Sequence, residues 1–315
     1  MNHFVRSWIV LLVAVMTGLF SCSADKPKPG ADKPVLTVSI LPQAFVVKRI
    51  AGEDFEVNTL VGEGQSPHSY EPSPAQIAAL AKSIVWFRIG VDFENGFAPK
   101  VAAAYPALRT VKVTEGMVYR MIEGHVHEDV AGGHDVDRDH LENATGQVDD
   151  TSDSPDMHVW LSSVNLVIMA GIVRDTLAGL YPDKAILFKQ NHDALVSDTR
   201  KTYDKLKTDL APLMGQTVYV FHPAFGYLLD ELGIKQEAVE TGGKEPSPKA
   251  IATLIEHAKK DGVKTIFVQS QFPVTAATTI AESIGGKVLS LDPLAENLLD
   301  NVQLIGTTLR HGFAN

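Results

Sequence analysis

From residue 35 onward the chain alternates short, β-branched apolar runs with stretches of helical spacing. VLTVSI (35–40), FEVNTLV (55–61), IVWFRIG (84–90) and residues 110–113 predict strands, and FVVKRIAG (45–52), SPAQIAALAKS (73–83) and residues 93–104 predict helices between them. Ser73 is placed to cap the second of these helices, with Pro74 at its first position, where a missing N–H wastes no hydrogen bond. VNLVIMAGIVRDTLAGL (164–180) predicts another helix, and residues 181–214 form one long, charged, amphipathic stretch without an internal glycine, which suits a rigid connecting helix. A second series follows: strands at 217–221, 235–239, 264–269 and 287–291, helices near 224–232, 248–260 and 275–284, and a terminal helix to about 310. This rhythm predicts an α/β fold of two lobes, residues 35–180 and 215–315. Each is a mainly parallel sheet flanked by helices, and one long linking helix, 181–214, joins them. No sequence repeat relates the lobes.

The pattern breaks at two places. Residues 8–20, WIVLLVAVMTGLF, run without a charge after Arg6. Such a run is too short to span a bilayer, which takes about 20 apolar residues, but suits the core of a signal peptide over residues 1–21. LFSC (19–22) resembles the lipobox of bacterial lipoproteins, with Phe20 where a smaller residue is usual, and the resemblance implies lipid on Cys22, the chain's single cysteine. A lone cysteine has no intrachain disulfide partner. Residues 22–34, small, charged and proline-rich, read as a tether from a bacterial membrane to an exported body. The second break, about 121–156, is longer than most connections inside a domain, and loops of that length are usually functional or disordered.

Charge narrows the classes of partner. A formal net charge of −10 provides no basic face for nucleic acid. Within the long loop, HVHEDVAGGHDVDRDH (125–140) gathers His125, His127, His134 and His140 among five carboxylates. Its glycines and irregular spacing fix no single geometry, which predicts weak, adaptable metal capture by an accessory segment, or simply a solvated loop. Three other histidines stand at element junctions: His68 in a Gly/Pro-rich turn after a strand, His158 at the entry to a helix, and His222 directly after the strand 217–221. Asp292 bears the same relation to strand 287–291. Loops after the carboxyl ends of parallel strands border the ligand crevice of open α/β sheets. Three imidazoles and a carboxylate there suit zinc or its neighbours in the transition series, whereas calcium and magnesium want oxygens. Taken singly, each histidine is equally readable as a turn or cap residue.

Local motifs sharpen this. PHSYEPSP (67–74), DMHVWL (156–161), FHPAFGYLLDELGI (221–234) and SLDPLAENL (290–298) resemble, in order, motifs of the zinc- and manganese-binding solute-binding proteins of ABC transporters, and the likeness covers nearly all of the chain after the tether. The resemblance implies a monomeric, non-enzymatic receptor that captures Zn²⁺ between two lobes and delivers it to a membrane permease with its ATPase. It implies His68 and His158 as ligands from the first lobe and His222 and Asp292 from the second. A water, Glu71 or Glu240 are the other candidates for the fourth place. Within that family a histidine at the third position and an acidic, His-rich loop before the second ligand go with zinc rather than manganese or iron. Ser162 and Ser163 replace the family's Asp-Pro after HVWL, and Gln269 replaces a glutamate, so the support around the ligands is where this chain departs. The competing readings are an adhesin or zinc store on the same fold and, from another class, a zinc hydrolase. The hydrolase reading lacks an HExxH motif.

Overall fold

The computed structural model describes residues 33–122, 155–239, 248–272 and 274–314. The predicted signal segment, Cys22, the tether up to residue 32, His125, His127, His134, His140 and Glu240 lie outside the described residues. In the first half, strands β1 (Val35–Ile40), β2 (Glu56–Val61), β3 (Val85–Arg88) and β4 (Arg109–Lys112) alternate with helices α1 (Leu41–Ala51), α2 (Pro74–Ala81) and α3 (Asp92–Ala104). The second half repeats the plan with β5 (Thr217–Val220), α6 (Gly226–Glu231), β6 (Lys235–Ala238), α7 (Pro248–Lys260), β7 (Thr265–Gln269), α8 (Thr275–Ser283), β8 (Lys287–Leu291) and α9 (Leu298–Phe313). Between them run α4 (Ser163–Leu180) and the linking helix α5 (Ala185–Leu210). Both sheets are wholly parallel and share one order, β2-β1-β3-β4 and β6-β5-β7-β8.

That order has a consequence for function. In each sheet the chain first adds a strand on one side of the starting strand and then crosses to the other, leaving a switch point between β1 and β3 and between β5 and β7, where ligand crevices form. The strands read as near-continuous apolar runs because helices cover both faces. Where polar residues interrupt β1 they are paired: Thr37 Oγ1 lies 2.6 Å from Ser83 Oγ, and Ser39 Oγ accepts from Trp86 Nε1 at 3.1 Å.

The helices begin where local chemistry allows. Ser73 Oγ accepts the Gln76 N–H and the Gln76 side chain returns to the Ser73 N–H, a capping box that starts α2 at Pro74. Helix α1 starts at Leu41, four residues before the sequence pattern predicts. Gln43 is the reason: its Oε1 accepts the Ser39 and Ile40 N–H groups while its Nε2 donates to the Phe87 carbonyl, pinning the first turn to β3.

Helix α5 has 26 residues, about 39 Å at helical rise. Its buried stripe, Phe188, Leu195, Thr199, Thr202, Tyr203, Leu206 and Leu210, packs on α1 and α4 at one end and α9 at the other. Gly306 of α9 allows the second contact, since a Cβ there would stand 2.3 Å from Leu206 Cδ1. A single cluster of buried side chains runs from Leu36 in β1 through Leu206 to Leu309 in α9, so both sheets share apolar core through this helix.

Candidate metal centre

Three loops carry histidines to one point. His68 lies in the connection from β2 to α2, His158 immediately precedes the 3-10 turn Val159–Leu161, and His222 follows β5 by two residues. Their Nε2 atoms meet: His68 to His222 is 3.1 Å, and His222 to His158 is 3.1 Å. All three donor atoms lie within 4.8 Å of one another. A tetrahedral zinc with bonds of about 2.0–2.1 Å would hold its ligand nitrogens roughly 3.3 Å apart. The imidazoles border a cavity of about 20 Å³, lined also by Gln271, Phe272, Pro293 and Leu294, with room for an ion or a water rather than an organic ligand.

The first-lobe imidazoles are aimed by carboxylates. His68 Nδ1 is 2.6 Å from Asp92 Oδ2, at the start of α3, and His158 Nδ1 is 2.7 Å from Asp156 Oδ1. An ionised carboxylate only accepts, so each Nδ1 donates its N–H to the carboxylate and each Nε2 faces the centre. Asp156 is fully buried. Its Oδ1 also takes the His158 N–H at 2.9 Å, and its Oδ2 is 3.5 Å from Arg120 Nη1. Burial pushes the Asp156 carboxyl up, but His158 and Arg120 outweigh it and hold the group below the ordinary carboxylate range. Asp92 is held low chiefly by its hydrogen bond to His68, against a smaller opposing effect of burial.

His222 is held differently. Its backbone N–H donates to Gln269 Oε1 at 3.1 Å and its carbonyl accepts from Gln269 Nε2 at 2.6 Å, while its ring stacks on Phe272 at 4.9 Å. Burial, and then the two neighbouring imidazoles, push its pKa well below 6.5, so the ring is neutral at neutral pH. The His222 ring therefore meets a divalent cation's need for deprotonated imidazole.

The fourth expected ligand is placed otherwise. Asp292 follows β8 as predicted, but its Oδ1 accepts from Gln271 Nε2 at 2.8 Å and from the Leu294 N–H at 2.9 Å, and it is not among the converging donors. Glu71 is exposed and likewise not among them.

The departures noted in the sequence acquire roles. Gln269 donates and accepts at His222, which an ionised glutamate would be unable to do. Ser162 Oγ, the Ser163 N–H and Ser163 Oγ all donate to the Glu231 carboxylate, at 2.8, 2.8 and 2.7 Å, binding the start of α4 to the end of α6. Asp156 and its neighbours form a similar tie. Arg120 Nε donates to Asp230 at 2.8 Å, and Tyr227 Oη accepts the Arg120 N–H at 2.9 Å and donates to the Asp156 carbonyl at 2.9 Å. The guanidinium rests over Gly226, where a Cβ would come within 2.5 Å of Nη1. Sequence reading missed Asp92, Arg120, Asp156 and Glu231. Only Asp156 left a local signal, an aspartate two residues before a histidine at a turn; the others act across 24 or more residues.

Known proteins resemble the chain in sequence and fold. The "Zinc-binding lipoprotein AdcA" of Streptococcus pneumoniae (strain ATCC BAA-255 / R6) is 27% identical over 290 residues, 91% of this chain and 55% of AdcA, so the chain spans about half the length of that relative. A crystal structure of ZnuA superposes with a TM-score of 0.78 at 29% identity, covering 90% of this chain and 100% of that one. A ZnuA deletion mutant with zinc bound gives 0.77 at 27% identity, covering 90% and 99%. The model of the family described as "Zinc-uptake complex component A periplasmic" matches residues 36–308, and the chain belongs to this ZnuA family.

Proposed function

We propose that the chain is the exported zinc receptor of an ABC-type uptake system, capturing Zn²⁺ between its lobes and delivering it to a membrane permease. The observation that carries this reading is the convergence of three imidazole Nε2 atoms, from both lobes, on one small cavity. Imidazole nitrogen favours zinc over manganese, because softer nitrogen donors have replaced the hard oxygens manganese takes. His68, His158 and His222 are the zinc ligands in this reading, with Gln271, at the cavity border, and Asp292, hydrogen-bonded to it, as the neighbouring oxygen donors. The activity is binding and transfer, with no covalent step assigned to a protein group.

Two parts of the reading rest on sequence alone. Lipid on Cys22 would tether the receptor near its permease, and His125, His127, His134 and His140 would raise the local zinc concentration or hold further ions when zinc is plentiful. Deleting residues 121–154 should lower zinc stoichiometry at high zinc, read by calorimetry, while leaving the tightest site intact. The central test is elemental analysis of the purified protein followed by competition between Zn²⁺ and Mn²⁺. One tightly held zinc that manganese fails to displace is expected, and a preference for manganese would overturn the ligand argument.

A further inference from the structure

Three histidines leave one side of a tetrahedral ion open. Gln271, two residues past the end of β7, borders the cavity that His68, His158 and His222 line. Its Nε2 donates to Asp292 Oδ1 at 2.8 Å. A carboxylate only accepts, so this bond settles which end of the amide is oxygen. That oxygen, Gln271 Oε1, is buried and meets no hydrogen-bond donor among the described residues. An orphaned buried acceptor beside a converging set of metal-ligating nitrogens calls for a cation or a donor to satisfy it. Asp292 is held in place at two points: Oδ1 also takes the Leu294 N–H, and the Asp292 carbonyl accepts from Asn301 Nδ2 at 2.6 Å.

We propose that Gln271 Oε1 supplies the fourth bond to the ion held by His68, His158 and His222, and that Asp292 is a positioning residue acting through it. The Asp292 carboxylate orients the amide and, by accepting its N–H, draws electron density toward Oε1, strengthening a neutral oxygen as a donor to zinc. The proposal rests on the zinc-receptor reading and adds the residue that closes its site.

The test uses the full chain, zinc titrated against a competing chelator, and Co²⁺ as a spectroscopic probe. Gln271→Met keeps the side chain's length and removes the oxygen; it should weaken zinc binding by about tenfold or more. Asp292→Asn retains an oxygen that accepts from Gln271 and Leu294, and should cost less than Gln271→Met. In the Co²⁺ form, thiocyanate should shift the visible bands of Gln271→Met but not those of the unaltered chain, a difference that mere loss of packing would not produce. A larger loss in Asp292→Asn than in Gln271→Met would make Asp292 the ligand and overturn the proposal. So would thiocyanate binding to the unaltered chain with undiminished zinc affinity in Gln271→Met, which would put water in the fourth place. Undiminished zinc binding by His222→Ala would instead sink the histidine site itself, a failure separable from that of Gln271.

Discussion

His158 and His222 present their Nε2 atoms to each other at 3.1 Å, yet the two lobes hold them by unlike means. His158 is fixed through its ring: Asp156, buried and ionised, takes its Nδ1 proton, and Arg120 compensates the carboxylate. His222 is fixed through its backbone by a neutral amide, and its ring lies against Phe272 in a buried setting. One ring donates to a carboxylate, while burial lowers the pKa of the other. His68 falls between, carboxylate-backed like His158 but partly open to solvent, with its Asp92 partner exposed.

The largest effect that would break this comparison is loss of a ligand on the desolvated side. His222→Ala should weaken zinc binding by more than about 100-fold, beyond the roughly 10–100-fold typical of outer partners, measured by chelator competition. Next come the two carboxylates. Asp156→Asn should cost about 10–100-fold and Asp92→Asn less, near the lower end of that range, because Asp156 is buried and also holds the His158 backbone. Equal losses would show that burial of the carboxylate does not matter. On the amide side, Gln269→Glu replaces a donor by an acceptor against the His222 carbonyl, and should lower stability to denaturant by about 1–3 kcal/mol, with a smaller effect on zinc affinity.

The smallest expected effect is on the pH dependence of the metal-free fold. His222 has a pKa depressed below its unfolded value of 6.5 by burial. Its contribution is therefore fully present above 6.5 and is lost as pH falls from there toward the folded value, because the unfolded chain takes up the proton first. His222→Gln, which does not titrate, should show a shallower loss of stability over that acid range in melts at graded pH. Zinc affinity should fall across the same direction of pH, since each ligand must be deprotonated.

Much of the architecture was readable because it depends on local pattern. β1 and β8 span the residues that apolar runs predict, Ser73 caps where its spacing says it should, and the uninterrupted charged stretch after Leu180 becomes α5. The early start of α1 was not readable, since it depends on Gln43 reaching Phe87, 44 residues away. The site divides along the same line. His68, His158 and His222 could be singled out because each sits beside a strand or helix end in a motif, and the structure brings those three together. Asp292 was singled out by the same logic and lies next to the cavity's border, tied to Gln271.

The sequence by itself determined the alternation of strands and helices, the long link between two parallel sheets, and which imidazoles stand at crevice-forming junctions. These follow from periodicity, capping and strand ends, all properties of neighbouring residues. Only the tertiary structure decided how the three histidines are supported: Asp92 for His68, Asp156 with Arg120 for His158, Gln269 and Phe272 for His222, and the pairing of Gln271 with Asp292. Those partners are chosen by distance in space between loops far apart in the chain, and hydrogen bonding across such loops leaves no period and no spacing to read.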